Sequence, residues 1–143
     1  MHDGQTDIVR RGVVAVFVRD ERLLVIRRSQ TVLAPGMYCF PGGGIEGVES
    51  EPEALVREIQ EELNIVATPI RPLWSSVTSW RIALSWWLAE LPEGQPPVPN
   101  PAEVESIHWH TIAEIVALPN LLESNADFLM RVARGEISLR AKE

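Results

Sequence analysis

The sequence predicts an α/β domain in which a mixed β-sheet lies between helices. Strand-like apolar segments stand on both sides of one amphipathic helix, and a second helical pattern occupies the C-terminal part of the chain. No internal repeat divides the chain, and its 143 residues are enough for one domain but not for two. We therefore expect a single domain over residues 1–143, with residues 1–10 as a frayed, polar lead-in.

The segments before the central helix alternate between strand-like and turn-like sequences. The run GVVAVFV is continuously apolar and β-branched, as expected of a strand that is covered on both faces. Asp20 and Glu21 then turn the chain into RLLVIRR, so the two runs predict a hairpin. A loop is predicted over residues 29–37. The extended segments predicted here are residues 12–18, 22–28 and 37–40.

The central helix is predicted to begin at Ser50, whose hydroxyl can accept a hydrogen bond from the first turn while Glu53 completes a capping box. At about 100° per residue, its apolar side chains collect on one side and three acids collect on another. These acids are Glu58, Glu61 and Glu62. The three glycines over 42–44 predict a loop whose backbone can approach a ligand closely.

The chain after the central helix predicts further strands and two helices. Prolines are expected to disrupt pairing in the first extended segments, and IALSWWLAEL predicts a strand although its length also allows a helix. PEGQPPVPNP cannot form a regular element, so it is either a surface connector or a border of the substrate pocket. The predicted extended segments are residues 67–74, 77–80, 82–91 and 103–110, and the predicted helices are residues 111–118, capped by Thr111, and residues 120 or 121 to 134.

The composition argues against several classes of function. The formal net charge of −7 disfavours binding to nucleic acid or to a membrane surface, because such binding relies on patches rich in lysine and arginine. The sequence MHDGQTDIVRRG lacks the apolar core of a signal peptide, and no run approaches the roughly 18 apolar residues of a membrane span. Cys39 is the single cysteine and is expected to be a buried small hydrophobe. A cytoplasmic protein is therefore expected.

The three acids of the central helix need a partner that offsets their repulsion. Like charges at these spacings destabilise an isolated helix by roughly 0.2–0.5 kcal/mol per pair. A solvated acidic face is one explanation, but the adjacent Arg57 and the preceding glycines favour a binding site. Carboxylates on a rigid element suit Mg²⁺ or Mn²⁺, and such ions bridge phosphate oxygens. A bound divalent ion would also reconcile an acidic chain with a phosphate-containing substrate.

The same stretch resembles the Nudix box, GX5EX7REUXEEXGU, in which U is an apolar residue. The matching positions are Gly43, Glu49, Arg57, Glu58, Ile59, Glu61, Glu62 and Ile65. One position departs, because Asn64 stands where the family usually has glycine. Asparagine is the next most tolerant residue of left-handed backbone geometry, so the end of the helix is expected to be preserved. The resemblance covers the box alone and implies an α/β/α sandwich.

The resemblance implies a hydrolase that uses Mg²⁺ or Mn²⁺ to direct water onto a diphosphate linkage. It implies that the three helix acids are the metal ligands, that the backbone near Gly43 adds a carbonyl oxygen, and that Arg57 orients the glutamates together with Glu49. The resemblance further implies a carboxylate from outside the helix, here Glu103, six residues before Trp109, with Glu105 as its rival, although a solvated acid at the strand end is an equal alternative. The candidates for the catalytic base are Glu58, Glu61 and Glu103. A histidine base at His108 or His110 is the less common case.

The candidates for substrate binding come from three places in the chain. The resemblance implies that the end of the second strand lies near the substrate, so that Arg27 or Arg28 meets a phosphate, although a surface arginine is an equal alternative. Gly42 lies in the glycine-rich stretch next to the box. Trp80 offers an aromatic face that can stack on a nucleobase, while a core tryptophan is the commoner case.

The resemblance implies a small nucleotide-type substrate, a nucleoside diphosphate linked to another group. No family sub-signature selects the substrate, which leaves a nucleoside triphosphate or a nucleotide sugar as the expectation. The alternative is a catalytically silent nucleotide-binding regulatory module of the same fold, although such modules commonly have a damaged box. A purely structural acidic domain is the third hypothesis, and it predicts a thermal melt that ignores Mg²⁺. Homodimers are common among similar proteins, so the resemblance implies a homodimer.

Overall fold

The computed structural model describes residues 10–141 of the protein, so the lead-in predicted over residues 1–10 lies outside them except for its last residue. The strands are β1 Arg10–Arg19, β2 Arg22–Arg28, β3 Tyr38–Cys39, β4 Gly42–Gly44, β5 Thr68–Val77, β6 Ile82–Glu90 and β7 Val104–His110. The helices are α1 Glu51–Leu63, α2 Ile112–Val116 and α3 Glu123–Ala133. None of the helices within residues 10–141 is long and apolar enough to cross a membrane.

The strands form one mixed sheet in the order β3-β2-β1-β6-β5, with β4 added to β1 and β7 added to β2. β1 runs parallel to β6 and antiparallel to β2 and β4. The predicted β1–β2 hairpin is confirmed, and its turn residues Asp20 and Glu21 both have positive φ, at 52° and 62°. Such two-residue turns match the right-handed twist of paired strands.

The predicted sandwich is confirmed, because both faces of β1 are buried. Val13, Ala15 and Phe17 belong to the core cluster beneath α1, whereas Val14 and Val16 belong to the cluster beneath α2 and α3. Alternate residues of a strand point to opposite faces, which explains this division. The helix residues of these two clusters are Ala54, Leu55, Ile59 and Leu63 of α1, Ile115 of α2, and Phe128 and Leu129 of α3.

Three predictions of local structure are wrong in detail. The glycines predicted as a loop form β4, because their backbone pairs with β1 at Gly12, Val13 and Val14. The segments predicted over residues 67–74 and 77–80 are replaced by one strand, β5 Thr68–Val77, whose register shifts next to Pro69 and Pro72. The last helix begins at Glu123, since Asn120 has a φ of 63° and residue 121 bridges to β3.

The proline-rich segment over residues 92–101 is irregular, as predicted, and lies against the C-terminal end of α1. The amide of Val98 donates to Leu63 O at 2.8 Å, and the Asn64 side chain donates back to Val98 O at 2.8 Å. The predicted end of the helix is confirmed, because Asn64 is left-handed with a φ of 54° and its amide donates to Gln60 O. Carbonyls that lack partners at a helix terminus are thus satisfied by this segment.

Candidate active site

The capping box at Ser50 sets where α1 begins, as predicted. Glu53 N donates to the Ser50 hydroxyl at 3.2 Å, and Ser50 N donates to Glu53 Oε1 at 2.8 Å. The apolar side of α1 then packs on the sheet, so the neighbouring side faces β4. This orientation leaves the carboxyl groups of Glu58 and Glu62 buried, with relative exposures of 8% and 6%, whereas Glu61 is exposed.

The glycines of β4 allow these two carboxylates to lie against the backbone. Gly42 N donates to Glu62 Oε1 at 2.9 Å, and a Cβ added at Gly43 would overlap the Glu58 carboxylate. A Cβ at Gly42 would instead collide with the backbone of β1. Both positions therefore require glycine. Gly43 leaves room for the acids, and Gly42 leaves room for the backbone of β1.

Arg57 joins the helix to the segment before it. Its guanidinium donates to both oxygens of Glu49, at 2.7 and 2.9 Å, and to Gly44 O at 2.7 Å. It also donates to the Glu61 carboxylate at 3.2 Å. The hydrogen bond from Arg57 and one from the amide of Glu46 lower the pKa of Glu49 to about 2. Bidentate pairing of this kind fixes the orientation of both partners.

Burial of Glu58 and Glu62 disfavours the ionised form of both carboxyl groups. Burial, followed by the charge of Glu61, raises the pKa of Glu58 to about 7, and Arg57 opposes this shift. Burial and the charge of Glu58 raise the pKa of Glu62 well above its usual value, and the hydrogen bond from Gly42 opposes this. A cation placed among these oxygens would reverse the penalty, because it would stabilise the ionised forms.

The donor set fits a hard divalent ion. Carboxylate oxygens are the ligands that Mg²⁺ and Mn²⁺ prefer, and Mg²⁺ commonly retains several waters beside one or two carboxylates. In the described part of the chain, no three Asp, Glu, His or Cys side chains converge as a complete ligand set. The fit thus rests on the buried, desolvated oxygens of Glu58 and Glu62 and on the exposed carboxylate of Glu61 beside them.

The structure separates the two candidate arginines. On β2, Leu24 and Ile26 belong to the core beneath α1, and Arg28 follows on that face by alternation. Arg28 Nη1 lies 3.8 Å from Cys39 Sγ, and its charge lowers the raised pKa of Glu62. Arg27 points to the other face, where it pairs with Glu105 at 3.0 Å. Arg28 is therefore the arginine that lies near the acids.

The structure also distinguishes Glu103 from Glu105, the two candidates for a further carboxylate from outside α1. The charge of Glu103 raises the pKa of Glu58 and of Glu62, after larger effects of burial and of the neighbouring glutamates. Glu105 is exposed and engaged by Arg27. The structure therefore brings Glu103, and not its rival, within electrostatic reach of the α1 acids.

The remaining candidates lie elsewhere on the sheet. Trp80 stands in the turn between β5 and β6, where it is 63% exposed. His108 and His110 pair with β2 residues that belong to the core cluster beneath α2 and α3. The two histidines therefore face away from α1. Cys39 is buried, as expected, and burial raises its pKa to about 11.

Sequence reasoning missed Asn100, which lies between α1 and Glu103. Its amide N donates to Glu62 O at 2.8 Å, and its side chain donates to Glu61 O at 3.1 Å. The Asn100-Pro101 pair is a turn signal in the sequence, but only the fold shows that this turn meets the helix.

Comparison with known proteins gives matches over most of the chain. A family model described as the NUDIX domain matches residues 9–132. A solved structure from Burkholderia pseudomallei, described as a MutT NUDIX hydrolase, superposes with a TM-score of 0.68 at 29% identity and covers 86% of this chain and 97% of that chain. The shared sheet and helix arrangement agrees with the fold described above.

Two curated relatives are similar over part of their length. The NAD-capped RNA hydrolase NudC of Stutzerimonas stutzeri is 31% identical over 111 residues, which are 76% of this chain and 38% of that protein. The CTP pyrophosphohydrolase of Escherichia coli is 43% identical over 56 residues, which are 39% of this chain and 42% of that protein. The matched part is thus about two fifths of the length of these relatives.

Proposed function

This chain belongs to the Nudix family, and we propose from that premise that it is a divalent-metal-dependent hydrolase of phosphoanhydride linkages in nucleotides. The observation that carries the proposal is the pair of buried carboxylates, Glu58 and Glu62, held against the glycines of β4 beside Arg57. Burying carboxylates costs free energy, and acids whose pKa values are shifted in this way cluster at functional sites. The linkage attacked would join a nucleoside diphosphate to another group.

The metal ligands in this proposal are Glu58, Glu61 and Glu62, with a carbonyl oxygen near Gly43. When bound, Mg²⁺ or Mn²⁺ would polarise the phosphoryl oxygens and acidify water. Arg57 would hold the helix acids in place through Glu49 and Glu61, and would act on the substrate only through them. Glycine at position 43 leaves room for the carboxylate that the site requires.

A proton acceptor for the attacking water is available among three acids of the site, Glu58, Glu61 and Glu103. Glu58 has a pKa of about 7 in the metal-free protein, close to the value that suits a general base near neutral pH. A bound cation would lower that pKa, so substitution must separate the ligands from the base. If Glu103 is the base, its replacement should lower kcat while metal affinity is retained, whereas replacement of Glu58 or Glu61, which are also ligands, should lower both.

Substrate recognition would use two groups beside the acids and one aromatic side chain in the β5–β6 turn. Arg28, which lies on the α1 face, would meet a phosphate, and the backbone at Gly42 would approach the same group closely. Trp80 is exposed and can stack on a base. The relatives are named for action on NAD-capped RNA and on CTP. Nucleoside triphosphates and dinucleotides are therefore the substrate classes to test first, and nucleotide sugars come next.

The test is release of phosphate or pyrophosphate from CTP and other nucleoside triphosphates, NAD, ADP-ribose, nucleotide sugars and dinucleoside polyphosphates, with Mg²⁺ or Mn²⁺. We expect metal-dependent turnover that is lost in Glu61→Gln and in Glu62→Gln and retained in Glu90→Gln, a change at an exposed strand end. Nucleotide binding without any turnover would establish the silent regulatory module instead. A thermal melt unaffected by millimolar Mg²⁺ would point to a structural domain.

The assembly state is also a proposal. We expect a homodimer, as the resemblance implies, and sedimentation velocity at several protein concentrations measures it directly. A single monomeric species at all concentrations would contradict this expectation.

A further inference from the structure

Asn100 contacts the last turn of α1 through both its backbone and its side chain. Its amide N donates to Glu62 O at 2.8 Å, and its Nδ2 donates to Glu61 O at 3.1 Å. These carbonyls belong to two of the acids that form the site, at the end of the helix where carbonyls lack partners within the helix. The segment that carries Asn100 is therefore fixed against the turn of α1 that carries Glu61 and Glu62.

The same residue sets the turn that leads into Glu103. Glu103 N and Val104 N both donate to Asn100 O, at 3.0 and 2.8 Å, and Ala102 N donates to Asn100 Oδ1 at 3.2 Å. From the other side, Ser29 N donates to Glu103 O at 3.1 Å. The main chain of Glu103 is thereby fixed between the end of β2 and Asn100.

The Glu103 carboxylate is also contacted by the Asn100 side chain. Asn100 Nδ2 lies 3.4 Å from Glu103 Oε2 and 3.1 Å from Glu61 O, so its two N–H groups reach the helix and the acid together. A glutamate side chain that is not held samples many rotamers, and ordering it costs entropy. The charge of Glu103 acts on both Glu58 and Glu62, which places this carboxylate on the side of the site.

Building on the proposed hydrolase function, we propose that Asn100 is a positioning residue that orients the Glu103 carboxylate toward the acids of α1. Asparagine suits this task because its side chain supplies two donors to the helix carbonyl and the carboxylate, and one acceptor to the turn. Aspartate in its place would keep the acceptor but would set a negative charge against two oxygens. Alanine would remove all three contacts and leave the backbone contacts in place.

The test is a double-mutant cycle with Asn100→Ala, Glu103→Gln and the combination of both. We expect Asn100→Ala and Asn100→Asp to lower kcat about ten- to a hundred-fold, the usual effect of removing a residue that orients a site group, with a much smaller change in KM. In the Glu103→Gln background, Asn100→Ala should cause no further loss. The control Asn64→Gly breaks a neighbouring bond between the helix and the segment and should leave kcat unchanged.

A readout without turnover keeps this inference separate from the proposed function. In the metal-free protein, the side-chain amide signals of Asn100 in ¹⁵N spectra should shift in Glu103→Gln and stay in place in Glu105→Gln. If those signals do not respond to Glu103→Gln, or if the losses in kcat multiply in the double variant, the inference is wrong. If they respond but no nucleotide is hydrolysed, the contact stands and the proposed hydrolase function is what fails.

Discussion

Arg57 holds Glu49 through two hydrogen bonds, from Nε to Oε2 at 2.7 Å and from Nη2 to Oε1 at 2.9 Å. The same guanidinium reaches Gly44 O and the Glu61 carboxylate, so a single residue of α1 fixes the segment before the helix, β4 and an exposed acid of the site. A lysine carries the same charge but cannot make this planar set of contacts. The relationship therefore depends on the shape of the side chain as well as on its charge.

We predict that Arg57→Lys lowers kcat about ten- to a hundred-fold while the thermal midpoint changes less, because the contacts orient the glutamates and are only partly buried. Steady-state kinetics and a thermal melt of the same preparation measure both effects. Arg131→Lys is the matched control, since Arg131 of α3 makes ion pairs with Asp127 on the same helix and with Glu136 beyond its end. Full activity in Arg57→Lys would show that charge alone is sufficient.

Gly43→Ala is predicted to weaken metal binding on the order of tenfold or more, because the added Cβ would displace the Glu58 carboxylate. Isothermal titration with Mn²⁺ measures the affinity. Gly44→Ala is a close control, since a Cβ at that neighbouring glycine comes only within 4.0 Å of Arg11 O. Equal affinities in the two variants would contradict a role for Glu58 as a ligand.

The two arginines at the end of β2 should differ in kinetics. Arg28→Ala is predicted to raise KM about ten- to a hundred-fold, the loss expected for a charge-assisted hydrogen bond to phosphate. Arg27→Ala should leave KM unchanged, because Arg27 faces the other side of the sheet and pairs with Glu105. Measurement of KM for the best substrate decides the assignment. A larger effect of Arg27→Ala would place the phosphate on the opposite face.

The stability of the metal-free protein should depend on the ionisation of Glu58. Its pKa is raised from 4.5 to about 7, chiefly by burial, so between these values the folded state binds more protons than the unfolded state. The free energy of unfolding therefore falls as pH rises through this window, and the contribution of Glu58 is fully present only below the lower value. Added Mg²⁺ should oppose the loss, because it binds the ionised carboxylate.

Thermal melts in EDTA between about pH 5 and pH 7.5 test this expectation, with Glu58→Gln and Glu90→Gln as a matched pair. Glu58→Gln should reduce the decline in the thermal midpoint but not abolish it, because the raised pKa of Glu62 contributes as well, whereas Glu90→Gln should keep the full decline, since Glu90 is exposed. A decline of the same size in both variants would show that Glu58 does not carry the effect.

The parts of this structure that could be predicted from the sequence depend on short-range patterns. The capping box at Ser50 and the alternating faces of α1 are set by residues within one or two turns of each other. The β1–β2 hairpin likewise follows from two apolar runs joined by a short polar turn. For the same reason, helical spacing alone is enough to group Glu58, Glu61 and Glu62 on one side of α1.

What could not be predicted depends on contacts between distant segments. Three glycines have a poor strand propensity, so nothing local predicts β4, which forms because β1 offers an edge with which it pairs. Strand alternation places Arg27 and Arg28 on opposite faces, but only the packing of β2 shows which one joins α1. The role of Asn100 in capping the helix is hidden for the same reason, since its partners on α1 are distant in sequence.

The parallel pairing of β1 with β6 also has a consequence for how the protein is made. Residues Arg10–Phe17 pair with Ile82–Ala89, so the first strand leaves the ribosome long before its partner exists. During that interval β4 can occupy one edge of β1, while the other edge presents unpaired backbone next to an apolar surface. Such edges recruit strands from other chains. Translation that stalls before Ile82 should therefore yield aggregation-prone nascent chains, and synthesis of β6 ends that vulnerability.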